Sequence, residues 1–248
     1  SLHDALPISG IRLVDFKIEF GRIHNQEYTE IVLADEINRA PAKVQSALLE
    51  TMQEQQVTIG RETMKIPAPF FVMATQNPVE QEGTYPLPEA QVDRFIMKVK
   101  VSYPTPEEEK RMLDLHISPA STRREPQAVA TTDQILKLQN LCDKIYVDER
   151  IRQYIINLVW ATREPAKYGL KMDGLIELGA SPRAAISLLA VARAEALLAG
   201  EHYVGPHTIK SIAPDVLRHR IMPTYESEAQ GLTADDLVTQ VLDGVEVP

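Results

Sequence analysis

The sequence has 248 residues, enough at about 100–200 residues per domain for one large domain or two smaller ones with real hydrophobic cores. Hydrophobic residues make up 44% and charged residues 25%, an ordinary globular balance that excludes wholesale disorder, collagen-like structure and coiled coil. With 26 Lys plus Arg against 35 Asp plus Glu the net charge is −9, so broad attraction to nucleic acid or to an anionic membrane is not expected. The single cysteine, Cys142, excludes an internal disulfide and all-cysteine metal sites and suits a reducing, cytoplasmic setting. No run reaches the ~18 apolar residues of a membrane span, so membrane insertion is not expected.

The opening Ser1-Leu-His-Asp-Ala-Leu-Pro-Ile-Ser9 matches no periodic template. It resembles read-through of a sequencing adapter, so residues 1–9 are set aside as non-native and the native N-terminal part is expected to be missing. From Gly10 to Val101 the apolar segments are short and turn-bounded, as buried strands are. Ile31-Val-Leu-Ala34 ends in Asp35-Glu36, and Phe70-Phe-Val-Met-Ala74 ends in Thr75-Gln-Asn-Pro78. Between them Val44, Ala47, Leu48 and Met52 recur at helical spacing, with Pro41 where a missing N–H is harmless. Strand, helix, strand predicts an α/β layer with a parallel sheet. Gln56-Val-Thr-Ile59 and Thr63-Met-Lys-Ile66 alternate on either side of Gly60 and predict a hairpin.

Thr105, Pro106 and Glu108 form a capping-box signature, so a helix is expected to start there. The polar, proline-bearing stretch from Ser118 to Ala130 reads as a connector. Beyond it the pattern is helical: Ile135, Leu138, Leu141 and Ile145 make one stripe, Ile151, Tyr154, Ile155 and Leu158 a second, Ile186, Leu189, Ala190, Ala194 and Leu197 a third. Ser181-Pro182 starts the third helix and Gly200 stops it, and further helices are expected over 206–217 and 233–242.

Two adjacent carboxylates at the C-terminal end of a buried strand lie where open α/β sheets bind ligands. Asp35 could hold magnesium and Glu36 polarise a water, or both could simply meet solvent. Asn77 could orient a water or belong to a plain turn. Arg94 could pair with Asp93 or Glu89, whereas Arg183 near a helix N-terminus is unfavourable for the helix dipole and invites another explanation. The six histidines show no ligand-like clustering; His219 reads as surface or interdomain, and Cys142 and Trp160 as core.

In order along the chain, Asp35-Glu36-Ile-Asn-Arg-Ala-Pro, Gln45-Ser-Ala-Leu-Leu-Glu50, Ala74-Thr-Gln-Asn-Pro78, Glu82-Gly-Thr-Tyr-Pro-Leu-Pro-Glu-Ala-Gln-Val-Asp93-Arg94-Phe95, Gly179-Ala-Ser-Pro-Arg183 and Asp215-Val-Leu-Arg-His-Arg220 resemble the MoxR family of AAA+ ATPases over about four-fifths of the sequence. The resemblance implies a partial AAA+ parallel-sheet α/β core at 10–103, a connector at 104–130 and an all-α helical lid domain at 131–248. It implies ATP and Mg2+ as cofactors, Asp35 supporting magnesium through water, Glu36 as general base and Asn77 as the residue positioning the lytic water. It further implies Arg94 as the arginine finger reaching a neighbouring subunit, Arg183 as the nucleotide-sensing arginine of the lid, and the Gln56–Ile66 hairpin as a pore-facing insert. A homo-oligomeric, hexameric ring is implied, working with von Willebrand factor A-domain proteins to remodel or mature partner proteins.

The pattern departs from the family at one point. A phosphate-binding loop needs Gly-x-x-x-x-Gly-Lys-Ser/Thr, and none of the 11 glycines is followed by lysine. The stretch Ile11 to Glu30 also lacks the glycine-proline-glycine turn usual before this strand. Three readings remain: the C-terminal part of a MoxR-type ATPase, inactive in this form; a P-loop-less binding or assembly module of AAA+ shape; or a related motor such as a magnesium-chelatase subunit or helicase.

Overall fold

A computed structural model describes residues 11–14, 31–34, 37–59, 62–76, 87–117 and 129–248. The chain divides into two compact units, one formed by Ser1–Tyr85 and Lys100–Leu136, the other by Pro86–Val99 and Lys137–Pro248.

In the first unit, strands β1 (Ile11–Val14), β2 (Ile31–Ala34) and β5 (Phe71–Ala74) make a parallel sheet in the order β1-β2-β5. The β2–β5 register pairs Ile31 with Phe71 and Ala34 with Ala74, so the two strands end level. Parallel neighbours need a crossover, and its helix is α1 (Ala42–Glu54). Pro41 caps α1 at the N-terminus and Gln55, in the left-handed region at φ 48, closes it. Leu48 and Leu49 are buried there with Gln45 and Thr51, while Val44 and Met52 are half-buried. The expected hairpin follows as the antiparallel pair β3 (Gln56–Ile59) and β4 (Glu62–Lys65), with Ile59 opposite Glu62. Helix α3 (Pro106–Ile117) starts on the expected capping box: Thr105 N donates to Glu108 at 2.8 Å and Glu108 N to Thr105 Oγ1 at 3.3 Å.

The second unit includes the short helix α2 (Glu89–Val92) and resumes at Lys137, within α4 (Thr132–Cys142). Its core lies among α5 (Glu149–Ala161), α6 (Pro182–Leu198), α7 (Pro206–Leu217) and α9 (Ala234–Gly244), where Tyr154, Leu158, Leu188, Ile209, Leu217, Leu237 and Val241 are almost wholly buried. Two pieces went unforeseen, the small sheet of β6 (Ile176–Leu178) with β7 (Met222–Pro223) and the one-turn α8 (Tyr225–Ala229). Both are too short for periodicity to register.

Three packing expectations need correction. On α6 the buried face is Ala184, Ser187, Leu188, Ala192 and Ala196, whereas Ile186 is 70% exposed and Ala190 is exposed. Small side chains take the inner face because they let α5 and α7 approach closely; counting large apolar residues set the phase wrongly. On α4 the stripe Ile135, Leu138 and Leu141 is about half exposed, and only Ile145 beyond it is buried. Trp160 is partly exposed, with the Arg163 guanidinium 5.4 Å from its ring, and Cys142 is half-buried.

Candidate active site

The carboxyl edge of the parallel sheet is one candidate region, in the first unit. Thr75 N donates to Ala34 O at 2.9 Å and Ile37 N donates to Thr75 O at 3.0 Å, lacing the chain after β5 to the chain on both sides of Asp35-Glu36. Gln45 on α1 reinforces the lace by donating from Nε2 to Ile37 O at 3.1 Å. Asp35, Glu36 and Asn77 themselves lie outside the described residues.

A separate candidate region lies in the helical unit, at the start of α6. Ser181 caps the helix, its hydroxyl accepting from Arg183 N at 3.1 Å, with Pro182 in the first turn. The approach to this cap is fixed by the end of α5. Ala180 N donates to Thr162 Oγ1 at 2.9 Å, and Arg163 Nε donates to Ala180 O at 2.6 Å. Gly179 lies so close that a Cβ there would meet Thr162 O at 2.5 Å, so a side chain is excluded by backbone. Arg183, one residue into α6 from Pro182, is half-exposed and directs Nη1 to Asp93 Oδ2 at 3.5 Å. A half-exposed guanidinium at that range is only loosely held and remains able to take a phosphate oxygen, the ligand its planar fork fits.

Asp93 is the junction. Its Oδ2 accepts from Ser181 Oγ at 2.7 Å and its Oδ1 from Arg220 Nε at 2.9 Å. Arg220, with a side chain 1% exposed, also donates from Nη2 to Asp93 O at 3.1 Å, to Phe95 O at 2.7 Å and to Ser187 Oγ at 3.1 Å. Its Nη1 serves Ile96 O at 3.2 Å and Val216 O. Burial pulls the Arg220 guanidinium below its ordinary value, against the hydrogen bond and charge of Asp93; a guanidinium stays charged regardless.

The two preceding residues hold the same stretch. His219 donates from Nε2 to Phe95 O at 3.0 Å, which fixes the proton on Nε2 because a carbonyl can only accept. Its Nδ1 is buried with no hydrogen-bond partner among the described residues. Burial, then the charge of Arg220, push the His219 pKa down to about 4. His219 is therefore neither surface nor interdomain: it is packed inside the helical unit, and burial is the reason it stays neutral. Arg218 donates from Nη1 to Lys98 O at 2.6 Å, from Nε to Asp235 Oδ1 at 2.7 Å, and pairs with Asp215.

Of the residues singled out from the sequence, Arg94 and Arg183 thus lie in one unit, linked through Asp93. Sequence reasoning missed Asp93, Ser181, His219 and Arg220 as a connected group. The available signal was the triplet Arg218-His219-Arg220 directly after a helix end, where unsatisfied helix carbonyls already favour cations.

Family models match the chain in two places: the ATPase family associated with various cellular activities over residues 5–97, and the AAA lid domain over residues 172–241. Chaperone MoxR1 of Mycobacterium tuberculosis is 43% identical over 236 residues, 94% of this chain and 60% of that protein. The uncharacterized protein YeaC of Bacillus subtilis is 41% identical over 248 residues, 99% of this chain and 75% of its own length. A solved structure described as that of a candidate ATPase from Cytophaga hutchinsonii is 46% identical with a TM-score of 0.83, covering 91% of this chain and 72% of that one. The chain therefore spans about three-fifths of the length of the mycobacterial chaperone. With that likeness resting on an α/β layer and a helical lid unit, the chain belongs to the MoxR family of AAA+ ATPases.

Proposed function

We propose that this chain is part of a MoxR-type machine that couples ATP hydrolysis to remodelling or maturation of partner proteins, von Willebrand factor A-domain proteins among them. In this reading Asp35 supports magnesium through water, Glu36 is the general base and Asn77 positions the attacking water. Arg183 senses the nucleotide held by its own subunit. Arg94 serves the site of the next subunit in a hexameric ring, where its guanidinium offsets charge on the transferring phosphoryl group. Bound magnesium would neutralise phosphate charge in such a site. The Gln56–Ile66 hairpin contacts the substrate chain.

The observation that supports this reading most is the level, laced ends of β2 and β5, at the kind of sheet edge where α/β folds bind ligands, the acid pair and Asn77 coming shortly after them in sequence. One fact favours a second reading, a binding module that does not hydrolyse: no glycine here precedes a lysine. Both readings agree on the 248-residue chain itself, which is expected to release no phosphate from MgATP above background. Hydrolysis that disappears in Glu36→Gln would refute that expectation. They part on the same assay applied to a chain carrying the phosphate-binding loop: Glu36→Gln abolishes turnover under the first reading and changes nothing under the second.

A further inference from the structure

The segment that carries Arg94 has little structure of its own. Helix α2 is four residues long with no buried residue, and beyond Phe95 the chain runs without helix or strand to Pro106. Local backbone bonds, Arg94 N to Gln91 O at 3.2 Å and Phe95 N to Val92 O at 3.1 Å, make one turn and no more. Such a turn would fray if left alone.

What holds it is Arg218-His219-Arg220, three consecutive side chains that take the backbone carbonyls of residues 93, 95, 96 and 98, while Lys98 N donates to Asp215 O at 2.8 Å. We propose that Arg220, assisted by His219 and Arg218, is a positioning residue that fixes the backbone of Arg94 on the helical unit and, through Asp93, ties it to the start of α6 where Arg183 sits. The proposal rests on the reading above only for what Arg94 then does. The two holds on Asp93 differ in kind. Arg220 is buried and saturated with acceptors, so it is the fixed side; Arg183 is half-exposed at 3.5 Å, so it is the side that can let go. A phosphate that draws Arg183 away would leave Asp93 to Arg220 and Ser181 alone, passing the occupancy of one site to the residue that serves the next.

An arginine is required because only its planar fork can serve Asp93 Oδ1 and carbonyls on both sides of residue 94 at once; lysine keeps the charge and loses the fork. Position matters because a misplacement of about 1 Å in a charge-stabilising group can cost on the order of 100-fold in rate.

The test is amide hydrogen exchange on the full chain for wild type, Arg220→Lys and Asp93→Asn. We expect the amides of Arg94, Phe95 and Lys98 to exchange about tenfold faster or more in both variants while amides in α5 and α9 stay within about threefold of wild type, the mark of local opening. A rise shared equally by α5 and α9 would make Arg220 a general stabiliser and overturn the proposal, as would no rise. Should Arg220→Lys fail to fold, Asp93→Asn decides by the same criterion. Exchange is measured without turnover. The expected pattern, combined with undiminished ATP hydrolysis by an Arg94→Ala ring of a chain carrying the phosphate-binding loop, would overturn the role given to Arg94 and leave the positioning intact.

Discussion

His219 exchanges solvation for position. Its ring gives one proton to Phe95 O and buries the other nitrogen, and burial together with Arg220 and Lys98 holds its pKa at about 4 against the opposing pull of Phe95 O and Asp93. An unfolded histidine titrates near ~6.5, so the unfolded chain takes up the proton first. The histidine's contribution is complete above about pH 6.5 and is lost as pH falls toward about 4. Wild type should therefore lose melting temperature relative to His219→Gln, which keeps a donor for Phe95 O but cannot titrate, as pH is lowered through that window. Parallel melting curves for the two proteins from pH 7 to 4 would show that another group carries the dependence.

At the scale of elements, α6 is informative because its inner face is built from alanines. Ala184, Ala192 and Ala196 are fully buried beside Leu188, so the backbone of α6 comes close to its neighbours. Ala192→Leu should destabilise the helical unit by about 1–3 kcal/mol through overpacking, read as a lower urea midpoint. Ala190→Leu, on the exposed face, should change it by less than about 0.5 kcal/mol; equal effects would contradict the assigned face. Here the limit of the sequence is visible. The α5 stripe of Ile151, Tyr154, Ile155 and Leu158 is buried as its spacing predicts, because large side chains there face the core. On α6 large residues lie on both faces, Leu188 buried and Ile186 and Leu198 exposed, so only the neighbouring helices decide which face is inner. The strand ends, the hairpin and the Ser181 cap were legible from local chemistry. The Asp93–Arg220 pair joins residues 127 positions apart, a separation that periodicity and capping cannot span. Asp35, Glu36 and Asn77 rest on motif alone, since they lie outside the described residues.

For the whole chain, the helical unit is discontinuous, taking Pro86–Val99 before Lys137–Pro248. Within it Met97 packs on the helical core and Asp93 is bonded to Arg220. A fragment of residues 137–248 would lose Asp93 and the carbonyls that Arg220 serves. Removing one partner of a buried pair costs about 3–5 kcal/mol, so this fragment should unfold at clearly lower urea than the full chain. Trp160 on α5 is the one tryptophan and reports the transition in both; equal midpoints would mean that residues 86–99 add nothing to the unit.

The hold on residues 93–98 is made chiefly to main-chain oxygens. Carbonyls are the same whatever side chain follows them. Ile96, about half exposed, is therefore free to drift under mutation without loosening the grip, and so is Lys98. What cannot drift is length: a single inserted or deleted residue between Asp93 and Lys98 would shift every carbonyl out of step with the Arg218-His219-Arg220 triplet. This stretch of the protein is constrained in its spacing more than in its spelling.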